Sequence, residues 1–276
     1  MKTKQTNCIV AILICLTILF TVSCDMFTNS LLKGAARDMS EMMKNASTSE
    51  LLAAGADPDV IGDPAAAQAA MEALAEKDLS NISAEEASNV CSLASSAILP
   101  VSNLMEAIDK IKDSTKDDNS ENTDGSQTEE VNESVKVVSE ILSSIPAVDT
   151  TAIEQVLGND ELVKEAEIGS VAMATVSLMA SSLSKADLSP EEQQEQLNTI
   201  SKKISEIKSE DIKDGVTTDV INDVLAGTDF GNDTAMKTAV KAALTLKNRD
   251  DISSLTIGGF NLGELIGVKD NENSSN

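Results

Sequence analysis

Apolar residues recur every three or four positions along most of this chain, which is the spacing of one face of an α-helix. Strand-like alternation of apolar and polar residues is scarce. Two helix starts carry a Ser-x-x-Glu capping box, formed by Ser83 with Glu86 and by Ser189 with Glu192. The pattern predicts an all-α fold, either a multi-helix bundle or an irregular, solenoid-like helical repeat, with helices over residues 65–77, 83–98, 131–145, 189–208 and 234–247.

One further predicted helix has no polar face. Residues 168–184 carry no charge over their whole length. A helix that is apolar on every side is buried on every side. Its serine and threonine residues make it too polar to span a membrane, although its length is close to that of a span. We predict that it is the central helix of the domain.

Three short segments resemble one another: STSELLAAGAD at 47–57, TTAIEQVLGND at 150–160 and TTDVINDVLAGTD at 217–229. Each predicts a short helix capped by Ser or Thr, ended by Gly and Asp, and followed by an alanine-rich helix. Stacked helical units of this kind would build a solenoid-like body. The alternative is that shared Ala, Leu and Ser composition produces the likeness, because no tetratricopeptide or ankyrin signature is present.

Two segments have the composition of disordered chain. Residues 113–130 contain seven acids, one lysine and no apolar residue, which predicts a disordered acidic insert. An EF-hand calcium loop is excluded there, because its first and twelfth positions would be Ser120 and Val131 instead of acids. Residues 270–276 are predicted to be a disordered tail, and the glycine-containing stretch 257–268 to be a terminal turn or cap.

Composition limits the classes of molecule that this protein can bind. The chain has 276 residues, with 46 acids against 21 basic residues and a net charge of −25. Nucleic acid is excluded as a partner because binding it requires a basic surface. The four phenylalanines are the only aromatic residues, so the core must consist of Ala, Leu, Ile, Val and Met. The ten methionines favour an adaptable apolar docking surface.

The N-terminus has the pattern of a secretory signal. Lys2 and Lys4 precede an apolar run over residues 8–20, and small or branched residues lead to Cys24. These 24 residues resemble the signal and lipobox of bacterial lipoproteins. Thr21 stands where that box usually has Leu, as in the looser boxes of spirochaete lipoproteins. The alternatives are an ordinary cleaved signal, or a short uncleaved anchor with an incidental cysteine.

The resemblance implies a domain organisation and a location. Residues 1–23 would be removed, Cys24 would carry lipid including palmitate, and 24–30 would be a tether to a helical domain at 31–269. The protein would be lipid-anchored to an inner or outer membrane of the bacterial cell envelope. A first helix, with its apolar stripe at Leu32, Ala35, Met39 and Met43, would lie either on the membrane surface or on the protein's own core.

Candidate chemistry is sparse. The chain has no histidine, which excludes Ser–His and Cys–His nucleophiles and the usual catalytic zinc shell. We predict no catalytic residue, no cofactor, no metal site and no enzymatic activity; a hydrolase that uses only carboxylates is the remaining enzymatic alternative. Once Cys24 is lipidated and the signal removed, Cys91 is left, either buried in the core or a reactive thiol.

The sequence therefore predicts an envelope-anchored helical lipoprotein that acts as a structural or protein-interaction module. Its expected partners are the membrane, through the lipid on Cys24, and an envelope protein. The alternative is a ligand-binding or transport-accessory lipoprotein with an apolar cavity between its helices.

Overall fold

The computed structural model describes residues 39–99 and 139–249, together with the backbone of 256–257 and 260–261. The described residues form an all-α, multi-helix body, as predicted. Two backbone segments add a minimal antiparallel ladder, in which β1 (Thr256–Ile257) pairs with β2 (Phe260–Asn261). Residues 139–144 are also helical. The other helices are α1 (Met39–Lys44), α2 (Thr48–Ala54), α3 (Pro58–Ile61), α4 (Pro64–Ala75), α5 (Ala84–Ile98), α6 (Thr151–Leu157), α7 (Asp160–Glu165), α8 (Ile168–Lys185), α9 (Pro190–Glu206), α10 (Ser209–Ile212), α11 (Thr218–Leu225) and α12 (Thr234–Lys247).

Two helices, α5 and α9, start at the capping boxes that the sequence predicts. At α5, the Ser83 hydroxyl accepts from the Glu86 N–H at 3.2 Å, and the Glu86 carboxylate accepts from the Ser83 N–H at 2.8 Å. Ser189 and Glu192 make the same reciprocal box at α9. Both boxes satisfy N–H groups that have no partner inside their helix.

Four long helices stand in a row in the order α4, α5, α8, α12, and each packs extensively on its neighbours in that row. The short helix α1 covers α4 beside the start of the row. The helices α2 and α3 both contact α4 and α5, whereas α6 and α7 both contact α8 and α12. The body is thus a layer of long helices with pairs of short helices packed against it.

Helix α8 is the central helix, as predicted. None of its residues from 168 to 184 is exposed. It packs on α5 on one side and on α12 on the other. Neighbouring helices therefore cover α8 along its length, which explains why residues 168–184 carry no charge.

The buried apolar residues form two clusters. The first core holds most of the buried residues of α2 to α8, with Ala239, Ala242 and Leu246 of α12. The second core comprises Leu142, Leu183, Ile200, Ile204, Ile212, Ile221, Val224, Leu225, Phe230, Met236, Val240 and Leu244. Helices α8 and α12 contribute to both cores and therefore join them.

The three similar segments do form similar local structures. Each is a short helix, α2, α6 or α11, and each leads through a second short helix or a turn into a long helix, α4, α8 or α12. One predicted cap is wrong: the Thr150 hydroxyl makes no cap bond and donates instead to the Glu154 carboxylate at 2.6 Å. The neighbouring Asp149 carboxylate accepts from the Thr151 N–H at 2.9 Å.

Candidate functional surface

The predicted lipidation site, Cys24, lies outside the described residues, as do the acidic insert 113–130 and the tail 270–276. Of the predicted first helix, the described part begins at Met39. Met43 is buried in the first core, and Met39 packs against that core while partly exposed. For these two methionines, the alternative of packing on the protein's own core is therefore the correct one.

The described cysteine, Cys91, is a buried core residue. It shares a fully buried face of α5 with Ala87, Val90, Ala94 and Ile98. Burial, and to a smaller extent the nearby Glu167 carboxylate, raises the pKa of the Cys91 thiol far above its ordinary value. Because the thiolate is the reactive form, this thiol is protected from reaction in the folded protein.

Several outward-facing carboxylates are held in their charged form at helix starts. Hydrogen bonds from Ser47, Ser83 and Ser189 lower the pKa values of the Glu50, Glu86 and Glu192 carboxyls. A carboxylate that accepts hydrogen bonds from a hydroxyl and a backbone N–H is stabilised as the anion. The positive end of the helix dipole also favours a negative charge there.

Several basic side chains, by contrast, turn toward the backbone. The Lys241 ammonium donates to the Gly158 carbonyl at 2.6 Å, at the end of α6, and pairs with the Asp160 carboxylate at 2.8 Å. The Arg249 guanidinium donates to the carbonyls of Val163 at 2.9 Å and Ala166 at 2.8 Å, at the end of α7.

Two further lysines close the ends of α9 and α11. The Lys247 ammonium donates to the carbonyls of Ile204 and Ser205 at 3.0 Å each, in the last turn of α9. The Lys203 ammonium donates to the Asp223 carbonyl at 3.0 Å and to the Ala226 carbonyl, at the end of α11. Carbonyls at a helix C-terminus have no partner inside the helix and carry its negative dipole end.

The different positions of these basic and acidic side chains affect the charge of the surface. Lys203, Lys241, Lys247 and Arg249 bind carbonyls of the chain itself, while the capping glutamates stay at the surface. Residues 39–99 contain ten acids and only two basic residues, Lys44 and Lys77. The described surface is therefore strongly acidic. No local pattern in the sequence shows which distant carbonyls these basic side chains reach.

The expected methionine-rich apolar surface is not found in the described ranges. Met71, Met173 and Met236 are buried. Among the residues that the structure describes, Met42 is the one large apolar side chain that is well exposed, at 46%. Four of the seven described methionines are thus buried, and apart from Met42 the large apolar side chains of the described ranges are at least partly covered.

Within 39–99 and 139–249, no three or more Cys, Asp or Glu side chains come together in a group that could hold a metal ion. In the same part of the chain, no helix combines the length and hydrophobicity that crossing a membrane requires.

No known protein family, curated protein or solved structure matches the chain in comparisons of sequence and fold.

Proposed function

We propose that this chain is an envelope lipoprotein, anchored through Cys24, whose helical body binds a protein partner by its acidic surface. The observation that carries the proposal is the charge of the described surface. Residues 39–99 and 139–249 contain 29 acids and 12 basic residues, and four of these basic side chains bind carbonyls of the chain itself. The signal-like N-terminus and Cys24 support the anchor, and the polar described surface supports an electrostatic interface.

The physics of such a surface favours a basic partner. Clustered like charges raise the local concentration of an oppositely charged molecule and speed its encounter with the protein. The same charge repels anionic lipid headgroups, so membrane attachment would depend on the covalent lipid. At physiological salt, screening acts over about 8 Å, which makes the expected binding sensitive to ionic strength.

The anchor is tested by metabolic labelling of cells that express the full chain. Radiolabelled palmitate should enter the wild-type protein, which should partition into detergent. Cys24→Ala should abolish both, whereas Cys91→Ala should change neither because that thiol is buried. Labelling that survives Cys24→Ala would overturn the proposed lipid attachment.

The partner is tested by affinity capture from envelope extracts at low and high salt. The test variant neutralises three exposed acids outside the helix caps, Glu191→Gln, Glu195→Gln and Asp219→Asn. Capture should weaken with salt and in this variant, and it should be unchanged in the control Asn222→Gln, which alters an exposed neutral residue of α11. Capture that is indifferent to salt and to the triple variant would contradict an acidic interface.

A carrier with an apolar cavity, the alternative, predicts a different result. A hydrophobic ligand that binds the folded state should raise the melting temperature of the purified body in proportion to ligand occupancy. A lipid extract that produces this rise, together with salt-insensitive capture, would favour the carrier.

A further inference from the structure

Helix α9 is the least buried of the long helices. Of its 17 residues, three are buried, namely Gln193, Ile200 and Ile204. Helix α5 is shorter, with 15 residues, yet nine of them are buried. Segments with few buried apolar contacts open at lower free energy than the rest of a fold.

Polar contacts hold α9 at its N-terminal half. The buried Gln193 amide donates to the Leu183 carbonyl near the end of α8 at 3.1 Å. One turn later, Gln196 pairs with Asp229, donating to its carboxylate at 2.8 Å and accepting from its N–H at 3.1 Å. These bonds connect α9 to its surroundings where it buries little apolar surface.

At the other end of α9, two lysines make the attachment: Lys203 of α9 donates to carbonyls at the end of α11, and a buried lysine of α12 donates to α9. Lys247, with 3% of its surface exposed, lies in the last turn of α12. Its ammonium donates to the Ile204 and Ser205 carbonyls at 3.0 Å each. Hydrogen bonds from a charged group are stronger than those between neutral groups, and the buried Lys247 ammonium has these two carbonyl partners only while α9 is in place.

We propose that α9 is a latch helix: it opens from the second core while the first core stays folded, and Lys247 is its clasp. The polar bonds determine when α9 is closed, and opening would expose the buried Ile200 and Ile204 and uncover the partly buried Leu197. The inference concerns motion within the helical body and does not depend on the anchor or on the acidic interface.

Hydrogen exchange of the full chain, followed by mass spectrometry of its peptides, tests the latch. In the wild type, α9 amides should exchange faster than those of α5 and α8. Lys247→Met keeps a long side chain but removes the charged donor, and it should speed exchange in the last turns of α9 by about ten- to hundredfold. Exchange in α4 and α5 should stay unchanged.

Two more variants make the result decisive. Lys237→Met removes a partly exposed charge from the same helix, α12, and should leave α9 exchange at its wild-type rate. Gln193→Leu removes the donor at the opposite end and should speed exchange in the first turns of α9, which tests the latch even if Lys247→Met does not fold. Wild-type α9 as slow as α5, or equal acceleration in all helices of the variants, would overturn the proposal.

Discussion

The two cores of the described body are built from different side chains. Alanine supplies 14 of the 36 buried residues of the first core, whereas none of the 12 buried residues of the second core is alanine. The first core joins α4, α5 and α8, which pack extensively along their lengths. The second core lies between α9, α11 and α12 and consists of Leu, Ile and Val residues with one Met and one Phe.

The difference shows two ways to fill an interior that contains few aromatic residues. Small side chains let helix backbones approach closely, so dispersion contacts along the backbone replace large side chains. Branched side chains fill the wider space between helices whose backbones lie further apart. Gly55, in the turn after α2, is the clearest case of close approach, because an added Cβ there would lie 2.6 Å from the Cα of Asn89 in α5.

The largest expected effect is at Phe230 in the second core. Phe230→Ala should lower the free energy of unfolding by about 4 kcal/mol, because deleting a buried aromatic ring removes its burial and leaves a cavity. Urea unfolding measures the loss. Met42→Ala, which truncates an exposed apolar side chain, should stay within about 0.5 kcal/mol of wild type. A loss at Phe230 below about 1 kcal/mol would mean that the second core is loosely packed.

A smaller loss of stability is expected at Gly55, where two helix backbones of the first core approach closely. Gly55→Ala should cost about 3 kcal/mol, because the new methyl group would press on the α5 backbone, which cannot turn aside as a side chain would. Gly231→Ala is the matched control, since a Cβ there meets no heavy atom within 4 Å. Thermal melts of both variants measure the difference, and equal melting temperatures would contradict close approach of α2 and α5.

The smallest expected effects are changes in stability with pH, and the two cores should differ in this respect only on the alkaline side. Glu50 and Glu86 begin helices of the first core and Glu192 begins α9; all three have pKa values below the ordinary 4.5. Their contribution to stability is complete above pH 4.5 and is lost as the pH falls through their folded-state pKa values. The stability of both cores should therefore decrease in acid.

Lys247 adds an alkaline effect in the second core. Burial lowers its pKa from 10.5, so between the folded-state value and 10.5 the unfolded chain holds more protons and stability rises with pH. Melting temperatures of wild type and Lys247→Met should diverge in that window, with the wild type gaining. Parallel pH profiles of the two proteins would show that the Lys247 ammonium is well solvated.

Most of the helical structure follows from local sequence. Ser83 with Glu86, and Ser189 with Pro190 and Glu192, specify helix starts because a cap and its N–H partners lie within one turn. The uncharged run at 168–184 specifies a buried helix for the same kind of reason, since its composition is local. The all-α class, the central place of α8 and the buried face around Cys91 were therefore predictable. The sequence also supplied Cys24 as the predicted site of lipid attachment, which stays a prediction.

The tertiary structure alone decided which elements meet. The Ser-capped helices α5 and α9 look alike in sequence, yet α5 is packed between α4 and α8 whereas α9 buries only three residues. Likewise, nothing in the local sequence around Lys241, Lys247 and Arg249 shows which carbonyls these side chains bind. Their partners are Gly158, Ile204 and Val163 respectively. Such contacts join residues dozens of positions apart, so they depend on the summed packing of the long helices, which no local window of sequence contains.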